Sequence, residues 1–157
     1  MVSTTPIIEP ENFKYVVRIA DTDLDGKLNV VEALARIRGI GWATAVAICR
    51  LLGIDTHKRL GELSEAELRK INDLVYRLHE KVPGWFVNRP RDPRTGKDLH
   101  LIGADLVLVV RSDVDLLKKI RCWRGIRHML GLKVRGQRTR TTGRTGITVG
   151  VKKKPKK

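Results

Sequence analysis

Acidic residues are absent from the last 42 positions of this chain, Leu116 to Lys157, a stretch that holds fifteen of its 32 lysines and arginines. Cysteine is almost as scarce. Cys49 and Cys122 are the only two, they lie far apart, and neither belongs to a CxxC pair. That spacing argues against a disulfide framework or a zinc knuckle and leaves reduced thiols as the expectation. No apolar run approaches the roughly 18 residues of a membrane-spanning helix. Met1 to Pro6 lacks a charged region followed by an apolar one, so no secretory signal is expected. Nucleophile–base patterns are missing too, since Ser64 and Ser112 read as helix caps and the histidines and cysteines form no constellation. The expectation is a protein that is not an enzyme and needs no cofactor or metal.

What is present is charge. The 157 residues carry a net charge of +15, and all of it arises after Asp115, because basic and acidic residues balance before that point. The centre of the basic stretch, Arg121 to Arg144, is rich in arginine with Gly and Thr between, and no apolar stripe continues past Leu132. Arg forks bind phosphate at two points and stack on bases, while Thr and Gln add neutral hydrogen bonds to sugar and phosphate. A membrane-surface helix would need the missing stripe. A segment of this kind cannot bury enough apolar surface to offset its ordering entropy, so a polyanion is expected to order it. RNA is the partner that this composition fits.

Along the chain, Phe13 to Ile19 is aromatic and β-branched and reads as a short extended segment. Asp21, Asp23, Asp25, Gly26 and Glu32 match the spacing of a calcium-binding EF-hand loop, but the preceding segment is not helical, so a polar turn leading into a helix is expected instead. Val30, Leu34 and Ile37 share one helical face. After the break at Gly39-Ile40-Gly41, a second helix runs from Trp42 to Leu52, with Gly53 as its stop. The two glycines should allow a tight turn whose following N–H groups could meet a phosphate, and a side chain at Gly41 should strain it. Ser64 to Glu67 is a capping box for a third helix reaching Lys81, with Leu68, Ile71, Val75 and Leu78 inward and Pro83-Gly84 as its end. Trp85 to Ile102 reads as an arm with arginines at its tip; Trp85 and Phe86 suit either base stacking or core packing. Leu106 to Val110 by itself favours a strand, with Ser112 capping a helix from Asp113 to about Cys122.

The run Arg124-Gly125-Ile126-Arg127-His128, then Gly131-Leu132, then Val134-Arg135-Gly136-Gln137-Arg138-Thr139, closely resembles the signature of the universal small-subunit ribosomal protein thirteen family. Lys133 stands where bacterial members typically have Pro, and Thr142 where they have Asn; with the lysine-rich end, this is similar to the archaeal and eukaryotic branch. The resemblance runs from about Val17 to Val151 apart from the arm. It implies a mainly α fold: a helix–two-turns–helix globular domain, a short hairpin-like arm, a long helix in place of the strand, and an extended basic C-terminal tail. The boundaries it suggests are 1–84 for the globular part, 85–104 for the arm, 105–125 for a helix projecting the tail, and 126–157 for the tail. It implies a structural role in the head of the small ribosomal subunit in the cytoplasm, on small-subunit rRNA, beside small-subunit protein nineteen. A large-subunit bridge partner and peptidyl-site tRNA follow from it as further contacts.

The RNA-contacting residues expected are Gly39 and Gly41 in the turn and Arg121, Arg124, Arg127, His128, Lys133, Arg135, Gln137, Arg138, Thr139, Arg140, Thr142 and Arg144 in the tail. Lys152, Lys153 and Lys154 follow near the end. Base-excision DNA glycosylases share the helix–two-turns–helix unit, but they begin with a catalytic proline and commonly end in a four-cysteine finger. Val2 and a total of two cysteines argue against that reading. A free-standing RNA chaperone fits the charge but not the ordered signature.

Overall fold

A computed structural model describes residues 13–142. They form β1 (Val16–Ile19), β2 (Thr22–Asp25), α1 (Val30–Ala35), α2 (Trp42–Leu52), a 3-10 turn (Leu60–Glu62), α3 (Glu65–Tyr76), α4 (Leu78–Lys81), α5 (Gly103–Ile120) and α6 (Trp123–Met129). The fold is mainly helical, as expected. The chain groups into two compact units, one ending at Val109 and the next beginning at Val110.

The extended segment is one leg of an antiparallel hairpin, with Val17 opposite Leu24 and Ile19 opposite Thr22. Its two turn residues, Ala20 and Asp21, sit at φ 47° and 57°, the positive values that a tight two-residue hairpin turn requires. Asn72 of α3 holds the turn, its Oδ1 accepting from Ala20 N at 3.1 Å. This corrects the reading of residues 21–26 as a polar turn. The alternation of a strand puts Leu24 in the core and leaves Asp23 and Asp25 exposed on the opposite face. Asp25 accepts from Lys27 N at 2.9 Å, and Glu32 lies 3.7 Å from Arg36. These acids serve the turn and the first helix.

Val30, Leu34 and Ile37 are buried on the expected face and meet Ala45, Ile48 and Cys49 of α2. Burial pushes the Cys49 thiol up, away from the reactive thiolate. α2 ends where Gly53 was expected to end it: at φ 67°, it lets Ile54 N bond to Cys49 O (2.9 Å) and its own N–H to Arg50 O (3.3 Å). Ile71, Val75 and Leu78 are fully buried, with Leu68 half-buried beside them. The third helix is nevertheless two helices. At Arg77 (φ −104°, ψ 19°) the N–H is shared between Asp73 O and Leu74 O, which tightens the turn and restarts the chain as α4.

The capping box is formed in both directions: Glu67 N donates to Ser64 Oγ at 3.3 Å and Ser64 N donates to the Glu67 carboxylate at 2.8 Å. The bonds from Ser64 hold the Glu67 carboxyl below its ordinary value. A depressed carboxyl contributes stability that is present above its unfolded value and lost as pH falls through the folded one. Ser64→Ala should therefore cost about 1 kcal/mol at neutral pH. The difference from wild type should narrow in acid. Urea melts of both proteins at pH 7 and on the acid side check this; a difference unchanged by pH would remove Glu67 from the cap.

Leu106 to Val110 is helical, within α5. The only sheet among the described residues is the two-stranded hairpin, so a strand here would leave its backbone groups unpaired, whereas a helix satisfies them internally. Local β preference yields to that demand. Ser112 is accordingly no cap; it lies inside α5, which starts nine residues earlier. The first part of the basic stretch includes a helix, α6. Cys122 caps α6, its Sγ accepting from Gly125 N at 3.4 Å. Gly131 (φ 68°) closes the helix, with Leu132 N bonded to Arg127 O at 3.0 Å.

Candidate nucleic-acid interface

The Gly39-Ile40-Gly41 turn links α1 to α2 with its two glycines in different roles. Gly39 has φ 101°, and a Cβ there would lie 2.4 Å from the carbonyl oxygen of Leu101. Ile40 is buried between them. Gly41 is the N-cap of α2 at an ordinary φ of −103°, with no atom within 4 Å of a Cβ built on it. This corrects the expectation that a side chain at Gly41 strains the turn: the strain belongs to Gly39. No side chain caps α2, so its first-turn N–H groups face outward beside an exposed glycine. That is the geometry in which a helix start receives a phosphate oxygen.

His100 lies beneath this turn. It is 8% exposed, and neither ring nitrogen has a partner in hydrogen-bonding geometry. Burial lowers its pKa, the Gly39 backbone opposes this in part, and His79 adds to the lowering. The ring is therefore held neutral under the turn.

In the second unit, Arg121 follows α5 at φ 54° and is exposed. Arg124, Arg127 and His128 lie on α6, the first exposed and the other two half-buried. The backbone of α6 is pressed against α5: a Cβ on Gly125 would fall 2.1 Å from Leu117 O. Arg127 is held twice, its guanidinium 5.8 Å from the Trp123 ring centroid and its Nε donating to Lys133 O at 2.8 Å.

Lys133, Arg135, Gln137, Arg138, Thr139, Arg140 and Thr142 follow with no helix or strand, all exposed. Some are engaged locally. Gln137 Oε1 accepts from Arg135 N at 3.0 Å, and Thr142 Oγ1 donates to Arg138 O. Arg144, Lys152, Lys153 and Lys154 lie outside the described residues. Trp123 was not among the expected residues; its indole is 72% exposed amid arginines, a surface whose chemistry suits base stacking. An aromatic interleaved with arginine was the available signal.

Residues 18–145 match the family model described as ribosomal protein S13/S18. The small ribosomal subunit protein uS13 of Pyrobaculum calidifontis is 61% identical over 144 residues, covering 92% of this chain and 94% of the relative. Those of Staphylothermus marinus and Saccharolobus solfataricus are 56% and 54% identical, over 91% and 92% of this chain and 95% and 88% of their own lengths. With the family match spanning most of the sequence and archaeal relatives this similar, the chain belongs to the ribosomal protein S13/S18 family, in its archaeal-type branch, and is a ribosomal structural protein and not an enzyme.

Proposed function

We propose that this protein is built into the head of the small ribosomal subunit, in the cytoplasm, where it binds small-subunit rRNA. The observation that carries this reading is the segment from Lys133 to Thr142, exposed arginines and hydrogen-bonding side chains with no acid among them and none of them buried. Such a surface matches the phosphate backbone of RNA in charge. The open start of α2 at Gly41 adds a second phosphate position.

The tail extends from rRNA to peptidyl-site tRNA, and small-subunit protein nineteen and a large-subunit bridge element are its protein-side neighbours. A covering protein suits α5, which buries none of its residues and leaves Leu116 and Ile120 49% and 64% exposed.

Hydroxyl-radical probing of assembled subunits, with and without the protein and with and without tRNA, tests the reading. Protein-dependent protection confined to head rRNA, extended by tRNA bound in the peptidyl site, is expected. Protection elsewhere, or none, would remove the head placement.

A further inference from the structure

The arm over residues 85–102 buries one of its acids, Asp92, together with most of the Arg89 side chain, and carries exposed cations along its tip. Asp92 is 6% exposed and accepts from Arg89 Nε at 2.6 Å, from Thr95 N at 3.1 Å and from Thr95 Oγ1 at 2.9 Å. Arg89 leads the causes that hold this carboxyl below its ordinary value, so the pair stays ionised and mutually neutralised. Asp98 accepts from Arg91 N at 2.8 Å. Asn88 clamps the two legs through both ends of its amide, donating to Leu101 O at 2.7 Å and accepting from Leu101 N at 2.8 Å. Arg89 and Leu99 exchange backbone bonds at 3.1 and 2.9 Å. Each bond fixes the loop before any partner arrives, so its long side chains are presented at low entropic cost.

Arg91, Arg94 and Lys97 are exposed, three residues apart along the tip. Residues 89–98 carry four basic and two acidic side chains, whereas the rest of the chain up to Val109 has no net positive charge. The positive field of the first unit is thus concentrated on the arm. Its return leg is seated on the turn already described: Gly39 lies under Leu101, and Gly103 N donates to Arg38 O at 2.7 Å. The arm therefore roots beside the open start of α2.

We propose that this arm is a second RNA-binding element, a preformed clamp that sets Arg91, Arg94 and Lys97 on rRNA phosphates independently of the tail. An extended phosphate backbone suits three spaced cations on a rigid loop next to a helix start. The inference rests on the reading that the protein binds small-subunit rRNA.

The test uses the full chain and a transcript of the head domain of small-subunit rRNA. Three proteins are compared across a salt series: wild type, the neutral R91Q/R94Q/K97Q variant, and the charge-retaining R91K/R94K variant. If three phosphates are lost, the slope of log affinity against log salt should be shallower by about 2–3 in the neutral variant. Between 50 and 200 mM salt, wild type would then lose about 20–40-fold more affinity than that variant does. The lysine variant should keep the wild-type slope, and one patch of radical protection should vanish only in the neutral one. Equal slopes and footprints for all three, with wild type binding normally, overturn the clamp while leaving the protein an RNA binder. Unchanged binding to the bare transcript with reduced uptake into subunits means an acidic protein surface is the partner, and also overturns it. A wild type that binds without salt dependence defeats the RNA reading itself.

Discussion

Cutting the chain after Leu132 should flatten the salt dependence of RNA binding while leaving the first unit as stable as before. The cut falls where the Gly131 closure ends, so α6 stays whole, although it runs across the junction that the sequence suggested at residue 126. It removes ten of the 32 basic residues and no acid. If six to ten basic side chains of the intact protein neutralise phosphates, its affinity should fall by roughly a thousandfold or more between 50 and 200 mM salt. The shortened protein should show a much shallower slope. Its melting transition should hardly move, because the buried core ends at Ile102. Binding to the head-domain transcript across a salt series, beside a thermal melt of each form, makes the comparison. Equal slopes would show the tail to be a bystander and the first unit to carry the RNA site.

The second large effect separates two glycines that stand two positions apart. Gly39→Ala should destabilise the protein by about 2–4 kcal/mol, since it combines a φ that L residues rarely adopt with a clash against backbone. Its loss of RNA affinity should follow its loss of fold. Gly41→Asp should behave in the opposite way. The backbone there is ordinary, the space is open, and aspartate is a preferred N-cap, so stability should hold or rise slightly. The carboxylate would occupy the N–H groups offered to phosphate and repel it. Affinity should fall at least tenfold, the equivalent of about 1.4 kcal/mol, which like-charge juxtaposition readily exceeds. Denaturant melts and RNA titrations of both variants decide the matter. A stable Gly41→Asp protein with wild-type affinity would reduce the turn to a connector.

The features legible in the sequence are those whose causes are local. The span of α2 follows from Gly41, the apolar spacing and Gly53; the start of α3 follows from Ser64 and Glu67, three residues apart. The hairpin was hidden because its turn is Ala20-Asp21, with no glycine to mark it, and because Asn72 that holds it lies 52 residues away. Leu106 to Val110 misleads because strand preference matters only where a neighbouring edge exists, and none is indicated within the run itself. α6 escaped notice because its cap is a thiol, Cys122, not one of the usual capping side chains. The basic tail was visible as a candidate site since its charge needs no fold to be counted. The unlike duties of Gly39 and Gly41 were not, because they depend on where Leu101 arrives.

The position of the core along the chain also sets a timetable. Synthesis runs from the N-terminus, and the last residue that the core buries is Ile102, ahead of the whole charge excess. At about 5–20 residues per second, the remaining stretch takes several seconds to make. A small mixed domain commonly folds within milliseconds to seconds. The polycation therefore emerges attached to a body that is already packed and, up to Asp115, electrically neutral. Nascent chains that are still unfolded carry no excess charge with which to adhere to stray nucleic acid. The grip on RNA is acquired last, by molecules whose structure is already in place.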